Sequence, residues 1–183
     1  MLIRPHGPGH KQFSGPDRIL LPVGNTGMVE KTSPEARGGD WVGAMRICVI
    51  DGQGGGIGSV IIRRLKEEFG EQIEVLALGT NAIATAQMMK AHANRGATGE
   101  NAILWTIRQA DAIIGPIGIV LANAMMGEVT PAMAAAIASC PARKFLLPLT
   151  QENVEVVGVT HEPLPHQVDQ IVKIRLKELM DNV

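Results

Sequence analysis

From residue 46 onward, unbroken apolar runs alternate with stretches whose apolar residues recur every three or four positions. The first run, Arg46-Ile47-Cys48-Val49-Ile50, is the pattern of a strand covered on both faces. A helix follows over Val60–Phe69. Its stripe is Ile57, Ile61, Leu65 and Phe69, and Arg63/Glu67 and Arg64/Glu68 stand outside at i,i+4 spacing. Gly70 ends it. Ile73–Leu78 predicts a second strand, and Ala82–Asn94 a helix closed by Gly96. Asn101–Gln109 is read as a short helix feeding a strand at Asp111–Ile114. A turn at Gly115-Pro116 and an apolar helix over Ile117–Met126 come next. Thr130-Pro131 opens another helix, with threonine as cap and proline in the first position. Strands are expected at Lys144–Leu149 and Val154–Thr160. The last helix spans Pro165–Met180, with Val168, Val172, Leu176 and Leu179 inward.

Strands alternating with helices imply an α/β domain with a mainly parallel sheet between helical layers. The expectation is a three-layer Rossmann-like domain over residues 45–183, too short for an eight-stranded barrel. Residues 1–44 differ. They hold 8 of the 21 glycines and 5 of the 11 prolines, and Ile19-Leu20-Leu21 is their one notable apolar run. Such a segment buries too little apolar surface to offset its ordering entropy and is expected to be irregular. Met45 stands directly before the organised sequence. That position suggests a mis-assigned start; the alternative is an N-terminal arm.

Composition narrows the class. The chain of 183 residues is 45% hydrophobic and 19% charged with net charge −1. It lacks the basic excess of a nucleic-acid binder. The longest uncharged run, Ala112–Gly127, is too short to span a membrane. No signal sequence is visible, and Cys48 and Cys140 lack metal-site spacing. The expected setting is the cytoplasm, with two free thiols.

The candidate chemistry lies in "DGQGGGIGS", residues 51–59. Strand, glycine loop and helix together present backbone N–H groups and a partial positive charge to an anion. The loop residues Asp51, Gly52, Gln53, Gly54, Gly55, Gly56, Ile57 and Gly58 are therefore candidate phosphate-site residues. The dinucleotide fingerprint G-x-G-x-x-G fails, because its last position falls on Ile57 or Ser59, and no lysine follows for a Walker loop. Gly52-x-x-x-Gly56-Ile57-Gly58 resembles the glycine motif of short-chain dehydrogenases/reductases, with Asp51 in place of their usual threonine. That family's catalytic tyrosine is missing from a chain with no tyrosine at all, which excludes its mechanism.

Other candidates gather at the expected carboxyl ends of the strands, where open α/β sheets bind ligands. They are Thr80 and Asn81, which either hold a 2′-phosphate or cap the next helix, and Gly115 and Pro116. Asp51 is open to a ribose contact, a magnesium ion or helix capping. Glu100 and Glu128 read as solvated or capping carboxylates, and Asn123 as a buried amide or ligand contact. His92, His161 and His166 read as ordinary surface or loop residues.

The segments "IDGQGGGIG", "LGTNAIAT", "GATGEN", "GPIGIVLAN" and "GEVTPAMA" occur in order over residues 45–160. They resemble a small bacterial family known as a domain of unknown function. The resemblance implies a Rossmann-like domain of about the length from Met45 to the end of this chain, and no assigned activity. The expectation is a protein that binds a nucleotide or dinucleotide, with NAD(P) or another nucleotide as the open cofactor. The alternative is a non-enzymatic oligomeric sensor or interaction module for a small anionic metabolite. In either case the expected partner is a small phosphorylated ligand. A homo-oligomer through Met88-Met89 and the 117–126 segment is a further expectation.

Overall fold

A computed structural model describes the backbone of residues 18–23 and 27–32, and residues 44–149, 152–159 and 162–181 in full. The chain divides into two compact units, Met1–Gly43 and Ala44–Val183. In the first, β1 (Arg18–Val23) pairs antiparallel with β2 (Gly27–Thr32), Leu20 opposite Glu30. The run Ile19-Leu20-Leu21 thus lies in a strand, within a segment expected to be irregular.

The second unit is an α/β domain around a five-stranded, all-parallel sheet, consistent with a three-layer Rossmann-like fold. Its strands are β3 (Met45–Asp51), β4 (Ile73–Gly79), β5 (Arg95–Thr98), β6 (Ala112–Pro116) and β7 (Arg143–Leu147). Their order across the sheet is β5-β4-β3-β6-β7. The chain steps outward from β3 to β5, then returns to β6 on the other side of β3. The carboxyl ends of β3 and β6 therefore flank a topological switch point, where such sheets open a crevice.

Alternation along the buried strands builds two cores. Ile47, Val49, Val75, Ala77 and Ile114 face one way, onto α1 (Gly56–Phe69), α2 (Ala82–Lys90) and the C-terminal helix. Cys48, Ile50, Leu76, Leu78 and Ile113 face the other, onto α3 (Glu100–Thr106) and α4 (Pro131–Ser139). The C-terminal helix runs as α5 (Leu164–Gln170), a π-helical stretch Ile171–Arg175, and α6 (Leu176–Asp181). Val168, Val172 and Leu176 of its expected stripe are buried. Gly70 ends α1 with φ +53°, and Thr130 caps α4 by accepting from the Met133 N–H at 3.1 Å. The exposed pairs differ from the i,i+4 expectation: Arg64 pairs with Glu67 and Asp169, and Glu68 with Lys177.

Four expectations are corrected. Residues 95–98, given to a helix end and loop, form the edge strand β5; four residues, Arg-Gly-Ala-Thr, offer no apolar run to mark it. The Ile117–Met126 helix is instead a 3₁₀ turn at Ile117–Val120 followed by an irregular loop. Asn123, Met125 and Met126 there have φ near +60°, a left-handed geometry that no right-handed helix continues. Gly115 and Pro116 close β6 rather than form a turn. Finally, residues 152–159 form no strand. The Val154 N–H turns back to the Glu152 carbonyl, Gly158 has φ +84°, and Val157 is 91% exposed. Thr160 lies outside the described residues.

The sheet edge opposite the switch point is locked by charge. Glu74, at the start of β4 and 1% exposed, accepts from Arg46 Nε and Arg95, each at 2.6 Å. Arg46 is itself buried and also donates to Gln109 at 2.6 Å. Removing one partner of a buried pair leaves the other charge without compensation. Glu74→Ala is expected to lower stability in urea unfolding by about 3–5 kcal/mol, whereas Lys173→Ala, at an exposed pair with Asp169, is expected to change it by less than about 1 kcal/mol.

Candidate functional site

The glycine loop leaves β3 at Asp51, whose side chain turns back onto the loop. Its carboxylate accepts from the Gly52 N–H at 2.8 Å and from the Gly58 N–H at 2.7 Å. The bond from Gly58 satisfies an N–H in the first turn of α1, the kind of contact a helix cap makes. Burial pushes the Asp51 carboxyl above its usual range, against the bonds from the Gly58, Gly52 and Ile57 N–H groups. The inner N–H groups of the α1 amino terminus, which a phosphate would ordinarily take, are therefore held by a carboxylate of the chain itself.

The five glycines separate by what surrounds them. Gly55 has φ +67°, and a Cβ there would stand 2.7 Å from the Ala84 carbonyl oxygen. A Cβ on Gly52 would come within 2.6 Å of Thr80 Oγ1 and the Met125 sulfur, and one on Gly58 would meet the Met88 sulfur. Packing accounts for these three. Gly54 and Gly56 are exposed, and a Cβ at either would meet nothing within 4 Å. Gly56 opens α1 and Gly54 lies in the turn before it; glycine loses more conformational freedom on folding than any other residue, and no neighbour among the described residues requires it at either position.

A second carboxylate closes the β4 side. Glu128, from the loop between β6 and α4, accepts from Thr80 Oγ1 at 2.5 Å, Asn81 Nδ2 at 2.8 Å and the Gln53 N–H at 2.8 Å, all on Oε2. Burial works against its charge, but the bonds from Thr80, Gln53 and Asn81 together hold its pKa below the usual glutamate value. Asn81 also caps α2, its Oδ1 accepting from the Ala84 N–H. Thr80 and Asn81 are thus bonded into the loop system and do not line the neighbouring cavity.

That cavity, about 410 Å³, opens at the switch point, within the size range of small-molecule sites. Of the candidates, the loop residues Asp51, Gly52, Gln53 and Ile57 and the strand-end residue Pro116 line it; Gly118, Met125, Pro148, Leu149 and Glu152 complete it. Gly54 and Gly56 lie on the exposed side of the same loop. Gly115 is packed against the Ile50 carbonyl and Ile119. Glu152 ties the far wall by accepting from the Met125 N–H at 2.6 Å. Four non-glycine residues around this crevice, Gln53, Asn123, Met125 and Met126, have left-handed backbones, a geometry concentrated at ligand sites and switch loops. Asn123 is exposed, and its N–H bonds the Val129 carbonyl at 2.7 Å; it is not the buried amide expected of a helix interior.

Other candidates stand apart. Glu100 accepts from the Thr130 hydroxyl. His92 follows α2 with φ +73°, His166 is exposed on α5, and His161 lies outside the described residues. Among the described residues no cluster of three or more His, Cys, Asp or Glu is placed to hold a metal, and no helix is long and apolar enough to cross a membrane.

Substitution separates packing glycines from open ones. Gly54→Ala and Gly56→Ala are expected to leave urea stability unchanged or to raise it by up to about 1 kcal/mol. Gly55→Ala is expected to lower it by at least 1–2 kcal/mol, roughly the cost of a left-handed side chain. A large loss for Gly56→Ala would show that packing, not an approaching ligand, requires that glycine.

No curated protein and no solved structure matches the chain. A family model described as a domain of unknown function, DUF3842, matches residues 46–180, running further toward the carboxyl end than the resembling segments. The parallel-sheet domain with its glycine loop and switch-point cavity belongs to the DUF3842 family.

Proposed function

We propose that this protein binds a small phosphorylated ligand of mononucleotide size at the switch point. Its phosphate would lie on the outer rim at Gly54 and Gly56, and the rest of it in the cavity beside Ile57, Pro116 and Met125. The observation that carries this reading is the pair of glycines with open space where a side chain would stand. Glycine lets a ligand approach the backbone there, and the helix start contributes favourable partial charge.

Two features favour a mononucleotide over NAD(P). In dinucleotide folds the pyrophosphate takes the first helix's amino terminus and an acid at the end of the second strand takes a ribose. Here Asp51 already holds the inner N–H groups, and Thr80 and Asn81 at the end of β4 are bonded to Glu128. The same commitments support a second reading, a non-enzymatic sensor of such a ligand. Asp51 and Glu128 are both engaged in holding loops together, which leaves neither in the usual position of a general acid or base.

Thermal unfolding of the full chain with AMP, ADP, ATP, NAD, NADP and inorganic phosphate tests the reading. A mononucleotide well above its Kd is expected to raise the melting temperature by several degrees. Gly56→Val is expected to remove that rise without lowering the melting temperature of the free protein. No rise with any of the six, or a rise that survives valine at both Gly54 and Gly56, would overturn it.

A further inference from the structure

Away from the switch point, the sheet ends at β7, which pairs only with β6 among the described residues. The Arg143 N–H donates inward to the Asp111 carbonyl at 3.0 Å. Because successive residues of a strand point their N–H and C=O groups to opposite sides, those of Lys144 and Leu146 face the open edge. An unpaired row of this kind is a template for another strand.

Two cavities follow this edge, between β7 and the C-terminal helix. One, about 430 Å³, is lined by Arg143, Lys144, Phe145 and Arg175; the other, about 210 Å³, by Leu146, Leu147, Gln167 and again Arg175. Together they touch every residue of β7, with Arg175 at their junction. Arg175 belongs to the π-helical stretch, a distortion frequent at functional sites.

Charge selects the occupant. The chain as a whole has net charge −1, yet Arg143, Lys144 and Arg175 all line the larger cavity, and Arg175 lines the smaller one too. Against them stand Glu178, which accepts from Arg175 at 3.4 Å, and Glu162 at the far end. The Lys144 ammonium donates to the Cys140 carbonyl. We infer that the groove between β7 and the C-terminal helix receives an extended acidic peptide from a partner protein. The peptide adds as a sixth strand through Lys144 and Leu146 and places carboxylates by Arg143 and Arg175. Strand addition of this kind takes affinity from main-chain bonds and selectivity from pockets for alternate side chains.

The probe is a fluorescein-labelled seven-residue peptide alternating glutamate and valine, titrated into the full chain and read by anisotropy. The expected result is saturable binding that weakens with salt. It should be at least tenfold weaker when lysine replaces glutamate in the peptide, and at least tenfold weaker for the Arg143→Glu, Arg175→Glu double variant. Methylating alternate backbone nitrogens of the peptide is expected to abolish it. Failure of the acidic peptide to bind, or equal binding of the methylated peptide, would overturn strand addition. A dimer of the chain that Lys144→Pro dissociates would place a second copy on the edge and overturn the peptide assignment. Nucleotide shifts at the switch point are independent of every one of these outcomes.

Discussion

The Asp51 carboxylate ties the end of the first sheet strand to the start of the helix that follows, and the geometry of the switch point depends on that tie. It accepts N–H groups from both ends of the glycine loop, Gly52 and Gly58. Anchored so, the loop packs against α2 at Ala84 and Met88 so closely that Gly55 and Gly58 have no room for side chains. An internal carboxylate neutralises the helix terminus from within. Gly54 and Gly56 stand open on the exposed side of the loop.

The loop between β6 and α4 depends on the same frame. Glu128 holds it to Gln53, Thr80 and Asn81, and Glu152 holds its Met125 amide. These contacts support left-handed backbone at Asn123, Met125 and Met126, each of which costs on the order of 1–3 kcal/mol in isolation. The cavity wall is therefore a strained loop held by two carboxylates. The opposite sheet edge is a rigid base, where Glu74 joins Arg46 and Arg95.

Much of the fold was legible because buried parallel strands read as unbroken apolar runs. That held for β3, β4 and β6, and the amphipathic stripes of α1 and the C-terminal helix were equally plain. β5 escaped because an edge strand of four residues needs no apolar run. Residues 117–126 misled because apolar content does not report φ, and the left-handed residues there include Met125 and Met126, which carry no turn signature. At the site, Asp51 and the glycine loop were visible as a local cluster. The role of Glu128 was not, since it meets Gln53 across 75 positions of sequence. The division of five glycines into three packed and two open depends on Ala84, Met88 and Met125, none of which the loop sequence contains.

In the proposed binding mode the anion sits at Gly54 and Gly56 because Asp51 holds the inner N–H groups. The decisive measurement follows the amide resonances of the isotope-labelled protein while ADP is added. The Gly54 and Gly56 amides are expected to shift most, with Gly52 and Gly58 nearly still against Asp51. Dominant shifts at Gly58 and Gly52 would show a phosphate displacing the Asp51 carboxylate, and would contradict it.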